Sequence, residues 1–358
     1  EPGELNSYAG GGAQGFPGFA PINAVDISRR NISGYVDIEA ELSARLLVGL
    51  AGRVEDYSDF GSTANGKISL RFDAADWFAL RGTASTGFRA PSLQQQHYTS
   101  ITSVVQNGVP VLTGQFPSIS PVARALGGLP LEPEKSTNVS LGAVVRAGGF
   151  SLTIDGYQIT VRDQLALSEN IQASFSPQVA TILAPFNVPA ARFFINGLKT
   201  RTRGVDIVAN YKTRTESVGT FDFTLAANFN DVDVLRVPTT AVLNPAPPLF
   251  GRNRVFTIRE GTPREKVSGG IDWSSNALGV TVRATYYGEV NQPGTAANGS
   301  ADILTGKHVT TDLELRYAPA KGPQLAIGAS NLFDVYPDAT PAALNSTGVV
   351  GFPYYSPF

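Results

Sequence analysis

Arg89, Gln94, Gln95, Gln96, His97 and Tyr98 place a guanidinium, three carboxamides, an imidazole and a phenol within one short stretch. Such groups donate and accept hydrogen bonds in many geometries. That chemistry suits a polar or sugar-like ligand, or an iron chelate; the same run also reads as the hydrophilic stem of a loop. No catalytic set stands beside it. The chain has two histidines, His97 and His308, and no cysteine. A histidine-based triad, a His-rich metal site or a thiolate site therefore has too few members. Asp and Glu are scattered rather than paired for general acid–base work. Gly10–Gly12 lacks the strand-turn-helix context of a phosphate loop, and no G-x-S-x-G elbow is present. The expectation is a binding and conducting protein: no enzyme, no cofactor and no metal site.

The element that must hold these groups is 65–91, NGKISLRFDAADWFALRGTASTGFRAP. Ile68, Leu70 and Phe72 alternate with Lys67, Ser69, Arg71 and Asp73; beyond a short turn, Phe78, Leu80, Gly82, Ala84 and Phe88 alternate with Arg81, Thr83, Ser85 and Arg89. A period of two predicts a pair of antiparallel strands with one apolar and one charged face. A soluble sandwich would turn the apolar face inward. A membrane barrel would turn it to lipid and leave the charges around a wet lumen.

Charged residues make up 16 % of the 358-residue chain, below the ~25 % of ordinary soluble domains, and glycine (37) and proline (24) are plentiful. No apolar run approaches the ~20 residues of a membrane helix, so insertion would have to be by strands. A net charge of −2 provides no basic footprint for nucleic acid.

Along the chain, residues 1–30 read as a Gly/Pro-rich loop. Strands are then expected in pairs, near 31–42 and 45–57, the pair just described, 136–146 and 150–161, 198–212 and 220–232, 265–273 and 279–290, and 308–318 and 324–332. Short turns are expected on one side and longer loops on the other every time, from a modest SDFGSTA to the longest of about forty residues, 92–133. Short turns opposite long loops are the pattern of outer-membrane barrels. With the short turns aligned, Phe72, Phe78, Phe150, Tyr211, Phe221, Phe223, Trp273 and Tyr317 fall beside them on the apolar face, as an interfacial aromatic girdle would. The opposite face carries Arg71, Arg81, Arg89, Arg283, Glu314 and Arg316 among many charges, which a dry core could not hold unpaired. The fold expected is all-β, a transmembrane antiparallel barrel wall of about twelve strands.

Alternation slips at Gly156, where Phe150, Leu152 and Ile154 are in one phase and Tyr157, Ile159 and Val161 in the other. A bulge, or a strand leaving the membrane, would account for it. Arg201 and Arg203 share the phase of Val205, Ile207 and Ala209. Without a bulge they would face outward above the bilayer, at the level of lipopolysaccharide phosphates; a solvated rim is the other reading.

GFRAPSL (Gly87–Leu93) followed by LEPEKSTNVSLG (Leu131–Gly142) resembles the TonB-dependent outer-membrane receptors, as do EDYSDFGST (Glu55–Thr63), NGLKTRTRGVDI (Asn196–Ile207), TPREKVSGGIDW (Thr262–Trp273) and SNLFDVYP (Ser330–Pro337). The resemblance implies a barrel of about twenty-two strands in the bacterial outer membrane, plugged by an N-terminal domain and driven by the TonB complex. It would import a scarce bulky solute such as a ferric siderophore. On that frame residues 1–30 and 338–358 are extracellular loops and 31–337 are barrel, the tenth to twenty-first strands. Plug, TonB box and last strand would lie outside this chain, and Phe358, preceded by Pro357, would not be the native end. The expected partners are the TonB complex through that plug, outer-membrane lipid and lipopolysaccharide, and the solute, with no nucleic acid. A passive porin is the alternative, and a soluble all-β binding protein a second.

Overall fold

The structure is a computed structural model and describes residues 23–339 apart from 107, 108, 295 and 297; of 103–106, 109 and 110 it describes the backbone only. The expected terminal loops therefore lie largely outside the described residues. The strands, in chain order, are β1 (Asn31–Ser43), β2 (Leu46–Tyr57), β3 (Gly61–Ala75), β4 (Phe78–Arg89), β5 (Ser100–Gln106), β6 (Val109–Phe116), β7 (Glu134–Ala147), β8 (Phe150–Leu167), β9 (Ile171–Gln172), β10 (Ala190–Thr215), β11 (Gly219–Arg236), β12 (Glu265–Ser275), β13 (Leu278–Tyr287), β14 (Val290–Gln292), β15 (Ile303–Thr305), β16 (His308–Tyr317) and β17 (Leu325–Ala329). The helices are α1 (Leu93–His97), α2 (Pro121–Ala125), α3 (Pro177–Leu183) and α4 (Arg252–Glu260).

Twelve strands form one antiparallel wall in the order β1-β2-β3-β4-β7-β8-β10-β11-β12-β13-β16-β17. Each wall strand pairs with the next one in the chain, and β1 and β17 stay open, so the wall is part of a barrel rather than a closed one. Turns at 44–45, 76–77, 148–149, 216–218, 276–277 and 318–324 lie at one end; segments 90–133, 168–189, 237–264 and 288–307 lie at the other. The connection 58–60 is the short exception at the long-loop end, because Gly61–Ala64 join β3.

Register makes the two faces explicit. Leu46, Phe72, Leu80, Ala143, Ile154, Ile207, Ala227, Val267, Tyr286 and Val309 are successive cross-strand partners from β2 to β16. The next row, one residue over, reads Leu47, Arg71, Arg81, Gly142, Asp155, Asp206, Asn228, Lys266, Tyr287 and His308. A slip of one residue would exchange these rows, so the pattern itself specifies the pairing. Among the described residues nothing covers the apolar row: Leu70 and Leu80 are 47 % and 42 % exposed, and Ile207 and Leu313 are half-exposed.

Across the polar row the wall neutralises its own charges. Arg81 donates to Asp155 (Nε–Oδ1 2.8 Å) over Gly142, where a Cβ would collide with the Asp155 carboxylate. Arg71 pairs with Asp73 at 2.9 Å, and Arg316 with Asp272 and, at 3.6 Å, Glu314. Arg283 lies opposite Asp312 in the register.

Of the two accounts of the slip at Gly156, the structure removes the bulge and leaves the strand that outruns the membrane band. No bulge occurs at Gly156: pairing of β8 with β7 and with β10 runs unbroken through it. Tyr157, Ile159 and Val161 therefore lie on the polar face, where the Tyr157 hydroxyl accepts from Asn228 Nδ2 at 3.1 Å. The reason is length. β8, β10 and β11 have 18, 26 and 18 residues, well beyond the ~9–11 a membrane strand needs. Their outer ends no longer have to present apolar groups to lipid. Register is also continuous between Thr200 and Tyr211, so Arg201 and Arg203 share the face of Val205 and Ile207.

Candidate functional site

The long-loop end carries what the wall lacks, a dry core. Phe116, Val122, Leu126, Ile171, Val179, Leu183, Val188, Phe193, Ile195 and Leu249 are buried against one another. They come from three connections, 90–133, 168–189 and 237–264, and from the overhanging start of β10. The β5–β6 hairpin joins this assembly by parallel pairing of β6 with Ala190–Phe193, and β9 by antiparallel pairing with Ala190 and Ala191. Both helices that fill it begin Ser-Pro. Ser120 caps α2 and Ser176 caps α3, each hydroxyl accepting a backbone N–H at 3.3 Å, with proline at the first helical position. That arrangement satisfies an end donor and presets the helical φ.

The polar run after Arg89 is divided by its surroundings. Ser92 and Gln95 form a reciprocal capping box on α1, with Ser92 N donating to Gln95 Oε1 at 2.9 Å and Gln95 N to Ser92 Oγ at 3.0 Å. Gln96 Nε2 donates to Asp59 Oδ2 at 2.9 Å. Arg89 donates to Glu134 Oε1 at 2.6 Å, and the same buried carboxylate accepts Leu165 N at 2.7 Å. Gln94 and Tyr98 remain exposed and His97 half-exposed. The six residues are thus close together, three of them engaged in holding the chain and three presented at the surface.

The same geometry explains the conspicuous sequence EDYSDF. Glu55 is buried, accepts from Arg53 and takes the Tyr57 hydroxyl at 2.8 Å. Arg29 grips Asp59 with Nε at 3.0 Å and Nη2 at 2.6 Å from Oδ2, donates to Pro91 O at 2.5 Å, and lies over the Tyr57 and Phe60 rings. One arginine thereby ties the ends of β2, β3 and β4 together. Asn331, with φ of 51°, does similar work in SNLFDV, where its side chain donates to Val335 O and accepts Val335 N at 2.9 and 3.0 Å.

Burial works to raise the Asp59 pKa, but the donations from Arg29 and Gln96 and the Arg29 charge outweigh it and hold the carboxyl below its usual value. A depressed folded pKa contributes stability above the ordinary Asp value of about 4 that is lost as pH falls through the folded value. Acidification from about pH 5 down through that depressed folded value should therefore release α1. In the full-length protein, hydrogen exchange at 95–98, corrected for intrinsic rates, should rise in that window, and Asp59→Asn should abolish the pH dependence. Equal pH response in both proteins would refute this linkage.

The apolar face beside the short turns carries Phe72, Phe78, Phe150, Tyr211, Phe221, Trp273 and Tyr317, all in register on that face. Tyr211 and Phe221 each stack with Phe223, centroids 6.3 and 6.0 Å apart, and Trp273 Nε1 donates to Val218 O at 2.8 Å. Among the described residues no cluster of metal-ligating side chains occurs.

Residues 2–332 match the family model for the TonB dependent receptor-like β-barrel. The siderophore receptor PirA from Acinetobacter baumannii has a similar structure: TM-score 0.62 at 16 % identity, covering 92 % of this chain and 44 % of that one. A mutant of the ferric enterobactin receptor PfeA from Pseudomonas aeruginosa gives 0.61 at 15 %, over 91 % and 42 %. The FrpB iron transporter from Neisseria meningitidis gives 0.56 at 10 %, over 86 % and 41 %. At these identities the likeness is one of fold, and the chain spans less than half of each of those proteins. No curated protein matches by sequence. With the matched model extending over nearly the whole chain, including every strand of the wall, this protein belongs to the TonB-dependent receptor-like β-barrel family.

Proposed function

We propose that this chain forms part of the barrel of an outer-membrane active-transport receptor, importing a scarce bulky solute such as a ferric siderophore with energy from the TonB complex. The observation that carries the reading is the pairing of an apolar face left uncovered by the described residues with a charged face rich in ion pairs, and a packed loop assembly at one end. In this reading the short turns are periplasmic and the loop assembly extracellular. Phe72, Phe78, Phe150, Tyr211, Phe221, Trp273 and Tyr317 form the interfacial girdle. Arg71, Arg81, Arg283, Glu314 and Arg316 line the lumen. Gln94, His97 and Tyr98 meet the solute, and Arg89, Gln95 and Gln96 position them. Arg201 and Arg203 face outward toward lipopolysaccharide; Arg201 is partnered by Asp233 at 2.6 Å, and Arg203 donates to the neutral Gln158 at 2.9 Å.

The test is uptake of radioiron chelates by cells carrying the full-length gene as their only such receptor. Uptake should vanish on deletion of either this gene or tonB and return on complementation. Uptake that persists without TonB, with steady conductance of the intact protein in planar bilayers, would favour the porin instead.

A further inference from the structure

The connection 237–264 meets Glu169 of the connection 168–189 at three points. The Glu169 N–H donates to Leu249 O at 3.0 Å, and its Oε1 accepts Gly251 N at 3.2 Å. Gly251 is the N-cap of α4, whose first turn holds no acidic residue. A Cβ at 251 would lie 3.0 Å from Glu169 Oε1, so glycine leaves room for the carboxylate. Arg254 Nε is 3.6 Å from that oxygen, near enough for an ion pair and too far for a hydrogen bond. Arg252 is already matched by Asp302.

Arg192 enters from the other side. Ala191 pairs with Ile171, and Phe193 N donates to Ser168 Oγ at 3.1 Å, so Arg192 stands in the register beside Glu169 and Asn170. Among the described residues it has neither a hydrogen bond nor an ion pair, and its Nε is buried. Arg254 Nε and Asn170 Oδ1 are likewise buried without a hydrogen-bond partner. Burial and the neighbouring Arg254 charge push the Arg192 pKa down, as expected of two guanidiniums held near each other. The cluster thus has two cations, one anion and the positive end of a helix. Unsatisfied buried donors are costly, and the planar guanidinium fork suits oxyanions.

We infer that Arg192 and Arg254 form an anion-binding site in the loop roof, and that the solute presents carboxylate or catecholate oxygens to it. Glu169 pairs with Arg254 and competes there with the incoming anion. This rests on the import reading above and adds the charge class of the solute.

The experiment titrates the purified full-length receptor with three probes, ferric enterobactin, ferric citrate and an uncharged ferric tris-hydroxamate, following quenching of intrinsic fluorescence. At least one anionic chelate should bind. Arg192→Gln combined with Arg254→Gln should weaken it by about tenfold or more, leaving the uncharged chelate unaffected. Glu169→Gln should tighten anion binding, which supplies an independent reading if the double variant fails to fold. Preference for the uncharged chelate, no binding of either anion, unchanged affinity in a folded double variant, or no gain in Glu169→Gln would each overturn the site. TonB-dependent uptake of an uncharged chelate alone would remove this inference and leave import standing; TonB-independent conductance would remove import itself.

Discussion

Phe193→Ala is expected to destabilise the loop assembly by about 3–5 kcal/mol, the usual cost of emptying a fully buried phenylalanine site. Phe193 has no exposed surface and packs in the cluster with Phe116, Leu126, Leu183 and Ile195. Its backbone also carries the pairing with β6 and the two hydrogen bonds that fix Ser168. The neighbours come from separate connections, so they can only collapse into the cavity by giving up those pairings. The cost should be local, because the wall below shares little of this core. Limited proteolysis of the full-length protein in bilayers should show rapid cleavage within 100–126 and 173–189 while the barrel keeps its heat-modifiable mobility on gels. Loops as resistant as in the parent protein would contradict a packed roof.

Leu70→Arg should cost about 2–4 kcal/mol if the Leu70 face meets the middle of a bilayer. Leu70 has Val48 and Gly82 as cross-strand partners, and none of the described residues covers it. A guanidinium there has neither a carboxylate partner in the row nor water. The neighbouring Ser69 provides the control. Its side chain lies on the face of Arg71 and Arg81, and Ser69→Lys adds a like charge in a wet, screened lumen, costing no more than about 1 kcal/mol. Urea unfolding of the two full-length variants from lipid vesicles measures the difference. Equal costs at the two positions would mean that the faces have been assigned the wrong way round.

How much of this was legible beforehand differs by region. The strand pair at 67–89 is plain in the sequence because Ile68, Leu70 and Phe72 must all leave on one side of a pleat, and register follows from that alternation. The loops were harder. Ser120-Pro121 and Ser176-Pro177 are helix-start signals, yet each opens a helix of only a few residues, too short to stand without tertiary support. The core that supplies it unites Phe116, Leu183 and Leu249, which are far apart in the chain and share no period. Ser92 and Gln95 were legible as a capping box, and that spacing could have marked Gln95 as occupied. Nothing local tells that Gln96 reaches Asp59 or that Arg29 reaches Pro91.

The sequence by itself determined the wall: twelve strands, their two faces, the short and long connections and the family likeness, since these follow from a two-residue period and local turn chemistry. Only the tertiary structure decided that β8 passes Gly156 without a bulge, that Arg89 is neutralised by Glu134, and that Arg192 is left near the charge of Arg254 without an ion pair of its own among the described residues. Such facts depend on which chain ends overhang the band and which distant side chains then meet, and contacts of that kind carry no periodic signature along the chain.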